Sequence, residues 1–186
     1  MRWEQLFDDL EAQLEAEQRR ELDLEVADRT RRERAALGLH ERLGAHRGRT
    51  VELRLAGGQT VAGAVSDVGA DWLLVGERGE WPSLVPFTAI VTVGGIPGLH
   101  GEQPAPAGGA MAKRFGFGYA LRGLSRDRAV VRLSDVAGGA TTGTIDAVGA
   151  DVLDLSEHPA DLPRRAENVI ARRVVPFSAV AVVRPA

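Results

Sequence analysis

Two aspartates stand at matching places in the chain, Asp71 in Val68-Gly69-Ala70-Asp71 and Asp151 in Val148-Gly149-Ala150-Asp151. A carboxylate pair could serve as metal ligands or as an acid and a base, provided the fold brings the two together. The same residue beside a glycine also suits a plainer task, capping a turn through nearby backbone N–H groups, and that is the expectation for both. The four histidines, His40, His46, His100 and His158, share no spacing with one another or with a carboxylate pair, which argues against a metal centre or imidazole acid–base chemistry. Ser66, Ser83, Ser125, Ser134, Ser156 and Ser178 lack the glycine context of a nucleophile elbow. Gly57-Gly58 and Gly138-Gly139 precede no helix, so they are turns and not phosphate cradles. The chain has no cysteine, which removes disulfides, thiolate nucleophiles and Cys-based zinc sites. No catalytic set, cofactor or metal is expected.

The remaining chemistry is charge. Arg164-Arg165 and Arg172-Arg173 stand close together in the second half of the chain, where they would serve solubility or contact a phosphate or acidic partner. The net charge of −3 is unevenly spread. Over 50–100 there are five acids against two bases, and from 111 onward eleven bases against eight acids. Neither half has the dense basic stripe of a strong nucleic-acid binder. Arginine supplies nearly all the positive charge, Lys113 being the only lysine.

The elements that would hold these residues come from one unit used twice. Shifted by 80 positions, Val51 meets Val131, Leu53 meets Leu133, Gly58 meets Gly138, Gly63 meets Gly143, and the two Val-Gly-Ala-Asp stretches coincide. The shift grows to 90 at Val85-Pro86-Phe87 and Val175-Pro176-Phe177. The ten extra residues fall within 157–172, a polar stretch with Pro159 and Pro163 that reads as a surface loop.

Residues 3–44 read as helix. Trp3, Phe7, Leu10 and Leu14 recur at spacings that place them on one face. From Glu15 to Arg34, thirteen of twenty residues are charged. The pairs Glu15–Arg19, Glu25–Arg29 and Asp28–Arg32 lie four apart, each worth about 0.3 kcal/mol on a helix surface. Leu22 and Val26 continue a thin apolar stripe, sparser than a regular coiled-coil heptad. Gly44 and Gly48 are the expected stops. Val51, Leu53 and Leu55 then alternate with Glu52 and Arg54, a half-buried strand. A glycine turn, a strand bent at Gly63, and further short strands over 72–75, 81–86 and 88–93 complete a small five-stranded unit. Trp72, Trp81 and Phe87 are expected to fill its core or rim, and an exposed Trp81 would be a docking residue. A Gly/Pro-rich linker follows. A short helix over 111–126, built on Phe115, Tyr119, Leu121 and Leu124, precedes the second unit.

A short helix followed by a strongly bent five-stranded barrel resembles the Sm/LSm fold. Val51-x-Leu53, Gly58, Val61-x-Gly63-x-Val65 and Val68 resemble that family's first motif. Where the family carries an acidic residue and, four positions later, an asparagine, this chain has Gly69 and Leu73, and Gly149 and Leu153. The closing Arg-Gly step has no counterpart near Val85-Pro86-Phe87 or Val175-Pro176-Phe177. The closing Val-Pro-Phe-x-Ala pattern is similar to PRC-type barrels, which implies protein docking. The whole arrangement also resembles bacterial proteins of GC-rich genomes in which a charged helix precedes two such barrels.

The expected architecture is mainly β, with a charged N-terminal helix (1–44), a first SH3/Sm-like barrel (45–95), a linker (96–110), and a short helix with a second barrel (111–186). The expected function is a non-enzymatic, cytoplasmic protein-interaction module without membrane attachment. Trp3, Leu6, Phe7, Leu10 and Leu14 would meet a protein partner or a second copy of the helix. The alternative is an RNA- or DNA-binding regulator using Arg164, Arg165, Arg172 and Arg173.

Overall fold

The computed structural model describes residues 2–76, 81–98 and 114–186, with side chains left out at 2–12 and 16. The chain divides into two compact units, one built on the N-terminal helix up to Gly38 and one from Leu39 that holds every strand.

In the first unit, α1 (Arg2–Ala35) carries Glu15–Arg19 at 3.0 Å and Asp28–Arg32 as expected pairs. Arg29 turns forward to Glu33, at 3.0 Å, and not back to Glu25. The helix does not continue to 44. It stops at Ala35, and a separate α2 (Leu39–Ala45) follows Gly38. Glycine costs about 1 kcal/mol in a helix interior, and the break lets Leu43, fully buried in α2, join the first core.

The second unit is built on a single antiparallel sheet, of ten strands among the described residues. The strands are β1 (Thr50–Leu55), β2 (Thr60–Val68), β3 (Trp72–Gly76), β4 (Ser83–Pro86) and β5 (Ile90–Gly94), then, after α3 (Phe117–Arg126), β6 (Val130–Asp135), β7 (Ala140–Val148), β8 (Val152–Glu157), β9 (Ala171–Pro176) and β10 (Val180–Pro185). Their order is β5-β1-β2-β3-β4-β10-β6-β7-β8-β9. Two separate barrels are expected from the sequence; one open sheet is found, because β4 of the first half pairs with β10 of the second.

The duplication is visible in the register. Val51 faces Gly63 and Val131 faces Gly143. Val68 faces Leu73 and Val148 faces Leu153, each pair following a shift in register two residues earlier. Trp72 faces Pro86 and Val152 faces Pro176. In both halves the Val-Pro-Phe stretch leads into a one-turn 3-10 helix, Phe87–Ala89 and Phe177–Ala179. The Phe87 N–H bonds to the Asp71 carbonyl at 2.8 Å, and the Phe177 N–H to the Asp151 carbonyl at 2.7 Å.

Each half has its own core. Val51, Leu53, Leu55, Val65, Leu73, Val75 and Leu43 gather in the first, and Val131, Leu133, Ile145, Leu153, Leu155 and Leu121 in the second. Burying such an aliphatic side chain contributes about 1.5–3 kcal/mol, so period-two alternation fixes which face turns inward. The seam ties the cores together. Val182 of β10 enters the first core, while Trp72 and Leu84 of the first half enter the second. α3 begins at Phe117, later than the expected 111, and residues 111–113 and most of the expected linker lie outside the described residues.

Candidate functional site

The Asp71 and Asp151 side chains share no hydrogen-bond partner among the described residues. The Asp71 carboxylate accepts the N–H of Phe117 at 2.6 Å, at the start of α3. It caps a helix of the second half and not its own turn, which suits the positive end of the helix dipole. Beside it the Trp72 indole N–H donates to the Phe115 carbonyl at 2.9 Å, and the Ala70 N–H donates to the same carbonyl at 3.0 Å. Asp151 is exposed and makes no side-chain hydrogen bond among the described residues.

An apolar groove of about 490 Å³ lies where the halves meet. Trp72, Leu74 and Trp81 line it from the first half, and Tyr119, Leu124 and Pro185 from the second. Trp81 is 61% exposed and Tyr119 49% exposed. Phe115 stacks on Tyr119, ring centroids 4.1 Å apart, and holds that ring in place. Trp72, by contrast, is buried, and Phe87 packs partly buried on the first core.

A second, polar recess of about 470 Å³ lies on the second half, lined by Arg128, Asp146, Asp154, Arg164, Arg172 and Arg173 among others. Asp146, half-buried on β7, is its hub. It accepts from Arg164 at 2.6 Å and from the Ser156 hydroxyl at 2.6 Å, and Arg128 lies 3.5 Å away. Burial pushes the Asp146 carboxyl up, but the hydrogen bonds from Arg164 and Ser156 and the charges of Arg164 and Arg128 outweigh it, and the carboxyl titrates below its ordinary value. The Arg164 guanidinium is held above its own ordinary value, first by the hydrogen bond to Asp146. Arg128 closes α3 in the left-handed region, φ 53°, the only non-glycine residue there among those described. A branched-free glycine would be the easier choice, and the arginine at this place reaches Asp146.

Of the four arginines singled out in the sequence, the structure brings Arg164, Arg172 and Arg173 to this recess. Arg164 is neutralised by Asp146 and Arg173 by Glu157 at 2.6 Å. Arg165 and Arg172 are exposed and make no ion pair among the described residues. Sequence reasoning does not point to Arg128 or Asp146, and it considers Ser156 only as a nucleophile; the available signal is an aspartate inside a strand, a position that disfavours it.

The described histidines stay apart. His158 is buried, its Nδ1 2.8 Å from the Pro159 carbonyl and its Nε2 2.9 Å from the Thr144 hydroxyl. Since a carbonyl only accepts, Nδ1 carries the hydrogen and Nε2 can take that of Thr144. His46 is buried with Nδ1 2.7 Å from the Arg42 carbonyl, and His40 packs edge-on against Phe87. Among the described residues no three His, Asp or Glu side chains gather to hold a metal, and no helix is long and apolar enough to cross a membrane.

The side chains of Trp3, Leu6, Phe7 and Leu10 lie outside the described residues, whereas Leu14 is 57% exposed. Leu22, Leu24 and Val26, further along α1, are also exposed. The chain matches no protein-family model, no curated protein and no solved structure.

Proposed function

We propose that this chain is a non-enzymatic protein-interaction module of the cytoplasm, built from two small β modules of Sm/SH3 type behind a charged helix. The observation that carries the reading is the apolar groove between the halves, where Trp81 and Tyr119 present large ring faces to solvent. Aromatic anchors of this kind dominate binding energy at protein interfaces, and an exposed apolar patch is costly unless something uses it. The partner segment would bring two or three apolar side chains on an extended or helical backbone. α1 supplies a further apolar strip, Trp3, Leu6, Phe7, Leu10 and Leu14, for the same partner or for a second helix.

The test is capture by the immobilised chain, followed by mass spectrometry. Trp81→Ala with Tyr119→Ala should abolish enrichment of the partner while circular dichroism stays unchanged. Trp3, Phe7 and Leu10 replaced together by Ala separates the helix from the groove. Undiminished capture by both variants would reject the reading.

A second reading rests on the arginine recess. Arg165 and Arg172 make no ion pair among the described residues, and Arg128 and Arg164 stand next to them in sequence or space, so an RNA or DNA phosphate could be received there. With two of the arginines already neutralised, the contact would be weak. Titrating labelled single-stranded RNA at two salt concentrations decides it, because phosphate contacts weaken steeply with salt. No binding at low salt excludes the reading.

A further inference from the structure

The seam between the halves has a counterpart that nothing among the described residues fills. β4 and β10 pair with Leu84 opposite Val183. The 90-residue shift that relates Pro86 to Pro176 carries β4 onto β9 and β10 onto β5. β9 and β5 are therefore the same two strands, placed at the two ends of the sheet, each with one side unpaired among the described residues.

Burial shows what the missing pairing leaves open. Leu84 is 3% exposed, whereas its equivalent Val174 is 69% exposed. Val180, Ala181, Val182 and Val183 are all buried, whereas Val91, equivalent to Ala181, is 54% exposed. Thr92 lies exposed where Val182 reaches the neighbouring core. Free sheet edges with apolar side chains accept another strand.

Charge selects which strand that is. β9 carries Arg172 and Arg173. Arginines on an edge discourage like pairing, since two β9 edges together would juxtapose four of them. The β5 edge belongs to the acidic half, with Glu52 of β1 opposite Gly94. We infer that β9 of one chain pairs antiparallel with β5 of a second copy, Val174 opposite Val93, and that this repeats the β4–β10 seam from chain to chain. The contact is head-to-tail, so it closes into a ring or runs on as a filament according to the rotation per chain. It uses neither the apolar groove nor α1, and so stands apart from the protein-interaction reading above, while β9 also forms one wall of the arginine recess.

The absence of cysteine makes the test clean. Val93→Cys and Val174→Cys chains, mixed and oxidised, should form a disulfide-linked dimer that neither forms alone. Thr92→Cys mixed with Val174→Cys should not, because one residue out of register turns the side chain to the other face. The unaltered chain should sediment as a multiple of the single-chain mass at tens of micromolar, and Val174→Glu, which alters an exposed residue, should return it to one chain without loss of circular dichroism. Sedimentation as a single chain, equal cross-linking of both pairs, or an assembly that survives Val174→Glu would each overturn the inference.

Discussion

Asp71 accepts the backbone N–H of Phe117 at 2.6 Å, from a turn that lies 46 residues earlier in the chain. The contact crosses from the first half to the second and satisfies one of the free donors at the start of α3. Its duplicate, Asp151, has no such donor among the described residues. Identical local sequence thus yields two different side-chain roles. Asp71→Ala should lower stability by about 0.5–2 kcal/mol, as loss of a helix cap does, whereas Asp151→Ala should stay within about 0.5 kcal/mol of the parent. Urea unfolding of the two variants checks this, and equal losses would show that the cap contributes nothing.

Trp72 holds the same junction from its other side. Its ring is buried in the second core, and its N–H bonds to Phe115. A Cβ on Gly69 would lie 2.1 Å from the indole, so the ring position requires a glycine there. Trp72→Phe keeps much of the apolar volume and removes the indole bond to the Phe115 carbonyl, which retains the Ala70 N–H, an expected loss of about 1 kcal/mol, while Trp72→Ala should cost about 3–5 kcal/mol. Gly69→Ala should be destabilising, and Gly149→Ala less so, since Val152 stands where Trp72 does and its nearest atom is 3.1 Å away. Thermal melts of the four variants give the ranking.

The alternation of Val51, Leu53 and Leu55, the repeated glycines and the 80-to-90 shift are local signals, and they locate both sets of five strands. The β4–β10 pairing was not legible, because nothing in Ser83–Pro86 names the strand that will lie beside it. An edge strand and a seam strand carry the same pattern until the other half is placed. The break at Gly38 was missed because charged residues on either side favour helix, and Leu43 in the core decides otherwise. The arginines were legible as a cluster in sequence, but their neutralisation was not, since Asp146 and Glu157 come from strands β7 and β8.

Gly143 lies in the strand bend, opposite β8. A Cβ there would come 2.0 Å from the Ser156 carbonyl oxygen, a backbone atom that cannot step aside. Gly143→Ala should therefore push β7 off β8, with an expected loss of about 1–3 kcal/mol as for overpacking in a core. A Cβ on Gly63, at φ +152°, would come 2.9 Å from the Gly76 backbone, and Gly63→Ala should respond likewise. Hydrogen exchange would place the damage. Faster exchange confined to β7 and β8 in Gly143→Ala fits the clash, and unchanged rates would contradict it.

Asp146 makes the second half sensitive to acid. Its carboxyl titrates below the ordinary value in the fold, because Arg164, Ser156 and Arg128 favour the ionised form more than burial opposes it. A depressed carboxyl contributes stability that is fully present above its unfolded value, about 3.9, and is lost as pH falls through the lower folded value. Asp146→Asn removes that contribution at neutral pH and has nothing left to lose in acid. The variant should therefore melt below the parent at about pH 7, and the gap should narrow as pH falls below the unfolded value of about 3.9. Arg164→Ala should carry the carboxyl upwards, which carbon-detected NMR of the Asp146 side chain would register directly. A gap between parent and Asp146→Asn that stays constant across the acid range would mean that the ion pair does not stabilise the fold.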